Sequence, residues 1–134
     1  MKEVFVDSSA WFHLIYEPAP EHRAATDALA GLRQPLVTTN LVVFETMSLL
    51  TKRAGRASAE HFGQAIRSAN TARIVRLSAD QEDRAWDYFF KYRDKDWDLV
   101  DCASFALMDE LGLDTAFTFD DHFAQKGYRL IPVR

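Results

Sequence analysis

Apolar positions recur along this chain in two rhythms. Val4–Val6, Leu36–Thr38, Ile74–Leu77, Ala116–Phe119 and Tyr128–Ile131 are short runs rich in β-branched or aromatic residues. Runs of that length and composition predict buried strands. Between them, apolar residues fall at helical spacing over Trp11–Tyr16, Glu21–Leu32, Leu41–Arg53, Ala59–Ala69, Ala79–Arg93 and Leu99–Leu111. The boundaries carry their own signals. Thr39-Asn40, Ser58 and Ser78 precede helical stretches as candidate caps. Gln81 stands three residues after Ser78, a capping-box spacing. Gly112 follows Leu111, where a helix C-terminus favours glycine.

Short buried strands alternating with helices predict an α/β protein: a three-layer α/β/α sandwich around a mainly parallel sheet of about five strands. The 134 residues suit one domain over 1–134, long enough to bury a core without staples. In open sheets of this type, sites form beyond the carboxyl ends of the strands. Two strands here run straight into a carboxylate. "VFV" stops at Asp7, and "TAFTF" stops at Asp120.

Composition changes this picture in two places. The one cysteine, Cys102, excludes an internal disulfide and fits a reducing cytoplasm. No apolar run approaches the ~18 residues of a membrane helix, and the N-terminus does not read as a signal peptide. Net charge is −4, which by itself argues against a nucleic-acid partner. Its distribution argues differently. Eight acids and no Lys or Arg lie between Asp96 and Gln125, so the rest of the chain carries all 16 basic residues against 12 acids. Lys52 to Arg76 alone holds six basic residues against Glu60. That stretch is either a solvated face or a grip for a phosphate backbone.

Two further acids sit in apolar surroundings. Glu45 lies in "TTNLVVFETMSLL", a helix apolar enough to be buried on most of its circumference. An unpaired charge there is costly, and no Lys or Arg stands three or four residues away. A distant Arg, or an edge facing water, would account for it without function. Asp101 lies in "DWDLVDCASFALM", with Asp98 three residues earlier on the same helical face. Asp98 suits an N-cap or an outer role, and Asp101 the site itself. In "FTFDDHF", Asp120 and Asp121 could each cap a short helix, and the sheet topology favours Asp120 for the site. His122 is either a metal ligand or a surface histidine, the second being the commoner case, while His13, His22 and His61 show no ligand spacing.

Asp7, Glu45, Asp101 and Asp120 would repel one another if they converged. A divalent cation removes that conflict. An all-carboxylate set suits Mg²⁺ or Mn²⁺ better than Zn²⁺. Such ions bind phosphate oxygens, activate water and offset charge on a leaving oxygen, which points to phosphoryl chemistry.

At these residues the chain resembles the PIN-domain family, and within it the VapC-type toxins of bacterial toxin–antitoxin pairs. The resemblance rests on "VFVDSSAWF", "TNLVVFETMSLL", "DLVDCASFALM" and "AFTFDDHFAQKGY", in that order. It implies a catalytic and metal-binding set of Asp7, Glu45, Asp101 and Asp120, with Thr118 as a polar neighbour. Asp98 stands where the family usually has Ser or Thr. The resemblance also implies a metal-dependent endoribonuclease that leaves 5′-phosphate and 3′-hydroxyl ends, a homodimer, and a small antitoxin bound near the acidic site. Trp11, Phe12 and the early helices are then either core or partner surface. The alternative is a non-catalytic PIN-like module that binds RNA or a partner, and the intact acidic set counts against it.

Overall fold

A computed structural model describes residues 1–68 and 70–134. The elements in chain order are β1 (Val4–Val6), α1 (Ser8–Ile15), α2 (His22–Gly31), β2 (Leu36–Thr39), α3 (Asn40–Arg53) and α4 (Arg56–Arg67). They continue with β3 (Arg73–Val75), α5 (Ala79–Lys91), α6 (Leu99–Leu111), β4 (Thr115–Phe117), α7 (His122–Lys126) and β5 (Arg129–Ile131). The five strands form one sheet in the order β3-β2-β1-β4-β5, and every pairing is parallel.

The topology follows from connection handedness. Two crossovers step from β1 to β2 to β3 in one direction; the next returns over the sheet to β4 and then β5. Right-handed crossovers place α1–α4 on one face and α5–α7 on the other. Helix packing agrees: α1 lies against α2 and α3, and α3 against α4, while α5 packs on α6 and α6 on α7. This is the predicted three-layer α/β/α sandwich.

The central strands are apolar on both faces because both are covered. Val4, Phe5 and Val6 are fully buried. On one face Trp11 packs against Phe62, with ring centroids 5.7 Å apart. On the other, Phe123 stands edge-on to Phe105 at 4.9 Å and stacks on Phe5 at 6.1 Å. Trp11 and Phe12 are therefore core. Uncovered apolar surface lies instead on α3, where Phe44 is 66% exposed, and on α5, where Trp86, Phe89 and Phe90 are exposed.

Several boundaries differ from expectation for local reasons. Helix α1 begins at Ser8, so Asp7 occupies the N-cap position but makes no side-chain cap bond. Helix α4 begins at Arg56 behind Gly55, whose φ of 98° suits glycine, and Ser58 lies inside it. The expected end of that helix at Ala69 lies outside the described residues. Strand β3 stops before Leu77 because the Leu77 N–H donates to Asn40 Oδ1 at 3.1 Å. Strand β4 stops at Phe117 because Phe119 N–H and Asp120 N–H donate to the hydroxyls of Ser9 and Thr118. The caps at Thr39, Ser78–Gln81 and Gly112 form as expected.

Candidate metal centre

Strand order reverses between β1 and β4, and a crevice forms at the carboxyl edge where neighbouring connections diverge. Asp7 follows β1, and its N–H donates to Phe117 O across that gap at 3.0 Å. Thr118 and Asp120 follow β4. Glu45 comes from the second turn of α3, and Asp101 from the first turn of α6. His122 opens α7. Asp7 and Asp120 are close enough for their charges to act on each other and on both Glu45 and Asp101.

Glu45, Asp101 and Asp120 are each gripped through one oxygen, and the hydroxyl donors to Asp7 share one oxygen. Asp7 Oδ2 accepts from Ser9 Oγ at 2.9 Å and from Thr118 Oγ1 at 3.0 Å. Glu45 Oε1 accepts from Ser8 Oγ at 2.5 Å. Asp101 Oδ2 accepts from the Asp98 N–H at 3.2 Å and lies 2.9 Å from His122 Nδ1. Asp120 Oδ1 accepts from the His122 N–H at 2.9 Å. Among the described residues, Glu45 Oε2, Asp101 Oδ1 and Asp120 Oδ2 accept no hydrogen bond, and Asp7 Oδ1 accepts none from a side chain.

The two serines after Asp7 explain why a buried strand can end in a charge. Ser9 binds Asp7, and its hydroxyl also accepts from Phe119 N–H at 2.8 Å, locking the loop after β4 to the start of α1. Ser8 turns the other way to Glu45. The N-terminus of α1 adds a favourable dipole for the Asp7 anion.

Asp98 plays the capping part expected of it. Its Oδ1 accepts from the Asp101 N–H at 2.8 Å, and Asp101 returns the bond in a full capping box. Asp101 thus serves the helix with one oxygen and keeps the other. Asp121 occupies the N-cap position of α7 without a side-chain cap bond and pairs instead with Arg134 at 3.4 Å.

Glu45 departs from expectation in its surroundings. Helix α3 buries only Val42, Thr46 and Leu50, and Glu45 is half-buried. A serine hydroxyl, not a distant Arg, meets it. Among the described residues, no Lys or Arg forms an ion pair with any of the four carboxylates. The basic stretch is partly spent elsewhere. Arg73 grips Glu3 with two bonds, Arg56 pairs with Glu60, and Arg53 lies over the Phe12 ring. Lys52, Arg67 and Arg76 form no ion pair among the described residues.

Uncompensated burial is visible in the protonation equilibria. Burial pushes Asp7 above the ordinary carboxylate range, against the pull of its Ser9 and Thr118 hydrogen bonds. Glu45 is raised by burial and by the charges of Asp98, Asp7 and Asp120. Burial, with the Asp98 charge, pushes Asp101 up to about 7. Burial works against a charged His122 ring, but its bond to Asp101 and the surrounding carboxylates outweigh that and raise its pKa. Four carboxylates, three of them with a spare oxygen and none with a Lys or Arg partner among the described residues, fit a hard divalent cation. Donor atoms of Asp101, Asp120 and His122 lie within 4.8 Å of one another, as cation ligands would.

The sequence favoured a surface role for His122 over a ligand role, yet its ring touches the Asp101 carboxylate. Ser8 and Ser9 carried no assigned role. Hydroxyls directly after a strand-terminal acid were the available signal for the serines. For His122 the signal is tertiary, because α7 must first be laid beside the start of α6.

The PIN domain family model matches residues 4–127. The chain is 32% identical over 125 residues to the 23S rRNA-specific endonuclease VapC20 of Mycobacterium tuberculosis, covering 93% of this chain and 95% of the relative. The crystal structure of M. tuberculosis VapC20, a sarcin-ricin loop cleaving toxin, superposes with a TM-score of 0.89 at 31% identity, covering 94% of this chain and 96% of that one. A toxin–antitoxin complex from Klebsiella pneumoniae shares the fold with a TM-score of 0.70 at 16% identity, covering 96% of both chains. So does VapBC2 of Rickettsia felis bound to a promoter DNA fragment, with a TM-score of 0.64 at 12% identity, covering 96% of this chain and 97% of that one. A strand-ending aspartate, its serine clamp and three more acids at one sheet edge thus stand on a scaffold shared with these proteins along nearly its whole length, and the chain belongs to the PIN-domain family, in its VapC-type branch.

Proposed function

We propose that this chain is a divalent-metal-dependent endoribonuclease and the toxin of a type II toxin–antitoxin pair, acting as a single domain. The observation that carries this reading is the carboxylate set: four acids at one sheet edge, each held by hydroxyl or N–H donors and none paired with Lys or Arg among the described residues. Asp7, Glu45, Asp101 and Asp120 would hold the ion or ions, and Mg²⁺ or Mn²⁺ suits their oxygen donors. When bound, the cation activates water for in-line attack and neutralises charge on the phosphodiester.

The chain's own residues prepare that event. Ser9 and Thr118 fix the Asp7 carboxylate, and Ser8 fixes Glu45, so that little reorganisation is needed when charge develops. The Asp98–Asp101 capping box holds Asp101 against the start of α6. Asp120, farthest along the chain, orients water or a second ion beside it. Lys52, Arg67 and Arg76 offer cations to an RNA backbone.

The partners we assign are RNA, a second copy of the chain and a small antitoxin protein, in the cytoplasm. Membership of the VapC-type branch supports them; separately, among the described residues, no helix is long and apolar enough to cross a membrane.

The test is expression without an antitoxin in a bacterial host, beside Asp7→Asn, with new RNA 5′ ends mapped. The first RNA to inspect is 23S rRNA, the substrate named for VapC20. New 5′-phosphate ends at a few sites, with growth arrest, are expected in the wild type alone. Equal cleavage by both proteins would remove Asp7 from the mechanism. Absence of new ends in either, together with no cleavage by the purified protein in Mn²⁺, would leave only the binding-module reading.

A further inference from the structure

His122 stands between two of the four carboxylates. Its Nδ1 is 2.9 Å from Asp101 Oδ2 and 3.4 Å from Asp120 Oδ1. Its backbone N–H holds the same Asp120 oxygen at 2.9 Å. The ring's place is set by α7, which is anchored on three sides. Phe123 is fully buried against Phe5 and Phe105. Gln125 accepts from Trp97 Nε1 at 3.0 Å, and Lys126 reaches Asp109 at 3.1 Å. The ring is thus carried by the core and meets Asp101 from a fixed direction.

A carboxylate that holds a cation is ionised and only accepts hydrogen bonds, so in that state the ring nitrogen facing it carries the proton. Asp101 Oδ2 then receives two donors, His122 Nδ1–H and the Asp98 N–H. Both fall on the same oxygen. We propose that His122 is a positioning residue: its Nδ1–H pins Asp101 by Oδ2 and so presents Oδ1 to the divalent cation. This inference rests on the metal-dependent reading above. It also separates two roles open to an imidazole in this place, a ligand and a holder of a ligand. The bond to Asp101 through Nδ1 favours the holder. Partners that hold a ligating carboxylate are worth about 10–100-fold in metal affinity.

The test is Mn²⁺ binding by the purified protein, measured calorimetrically, with no RNA present. His122→Ala is expected to weaken binding by about tenfold or more. His122→Asn is expected to restore most of that loss, because Asn Nδ2 stands the same number of bonds from the backbone as His Nδ1. The melting temperatures of both metal-free variants should stay near that of the wild type, which excludes simple unfolding. Binding by His122→Ala equal to wild type overturns the inference. Equal weakening in the Ala and Asn variants also overturns it, since the imidazole itself would then be the ligand. Wild-type protein that takes up no Mn²⁺ overturns the metal-dependent reading as well, a result distinct from either failure.

Discussion

Helix α6 carries an aspartate near each end, and the two are held in opposite ways. At its start, Asp101 is buried, keeps one oxygen free and has no Lys or Arg partner; it is pushed up to about 7. At its end, Asp109 uses both oxygens. Tyr128 donates to Oδ1 at 2.6 Å, while Tyr88 at 2.6 Å and Lys126 at 3.1 Å donate to Oδ2. Burial would raise Asp109 too, but the two tyrosine hydroxyls and Lys126 prevail and hold it below the ordinary carboxylate range. One carboxylate is finished by the protein and ties α5, α6, α7 and the residue leading into β5 together. The other is left unfinished, and a cation can complete it. The difference between this structural acid and the one we assign to the metal lies in unspent acceptor capacity and missing countercharge.

The comparison breaks most sharply at the site. Asp7→Asn keeps an acceptor for Ser9 and Thr118 but removes a ligand charge. RNA cleavage in single-turnover assays should fall on the order of 10³-fold or more, as when a preorganised electrostatic group is lost. The same variant should melt at or above the wild-type temperature without metal, because a buried, uncompensated charge has gone.

The pH dependence of the metal-free protein comes next. The folded-state pKa of Asp101 lies above its unfolded value of 3.8, so between the two the folded form binds the extra proton. Stability therefore falls as pH rises from about 4 through about 7. His122, raised above 6.5, loses its contribution in the same direction as pH rises through its folded-state value. Urea unfolding should show a loss on the order of 2–4 kcal/mol between pH 4 and pH 8. Saturating Mn²⁺ should offset it. A flat or rising profile would contradict the uncompensated burial of Asp101.

Asp109→Asn tests the finished end. It should cost about 1–2 kcal/mol, discounted for the surface position of this cluster, with Mn²⁺ affinity unchanged. Loss of metal binding in that variant would mean that the two ends of α6 are coupled through α7. The smallest effect is expected from Ser8→Ala, which frees Glu45 from its hydroxyl. About 1 kcal/mol of lost positioning corresponds to a roughly fivefold weaker Mn²⁺ affinity.

Much of this was legible along the chain. The strands announced themselves because a parallel sheet covered on both faces demands continuous apolar runs, as in Val4–Val6. Ser78–Gln81 and Gly112 marked helix ends because capping is local chemistry. Asp7 and Asp120 were locatable because strand ends define the edge where sites form. Helix α3 misled, since an apolar composition reports how much surface could be buried and not how much this chain alone covers; Phe44 remains in solvent. The basic stretch misled in part, because Arg73 and Arg56 meet acids that only the fold or a helical turn brings near.

The sequence by itself determined the alternation of strand and helix and the caps, and marked four acids as candidates, because those depend on residues within a turn or two of one another. Only the tertiary structure decided which oxygen of each carboxylate is spent, that Ser8 serves Glu45 while Ser9 serves Asp7, and that His122 belongs to the site. Those outcomes depend on where α3, α6 and α7 lie relative to the ends of β1 and β4. That placement is settled by packing across the whole sheet, at separations no local spacing encodes.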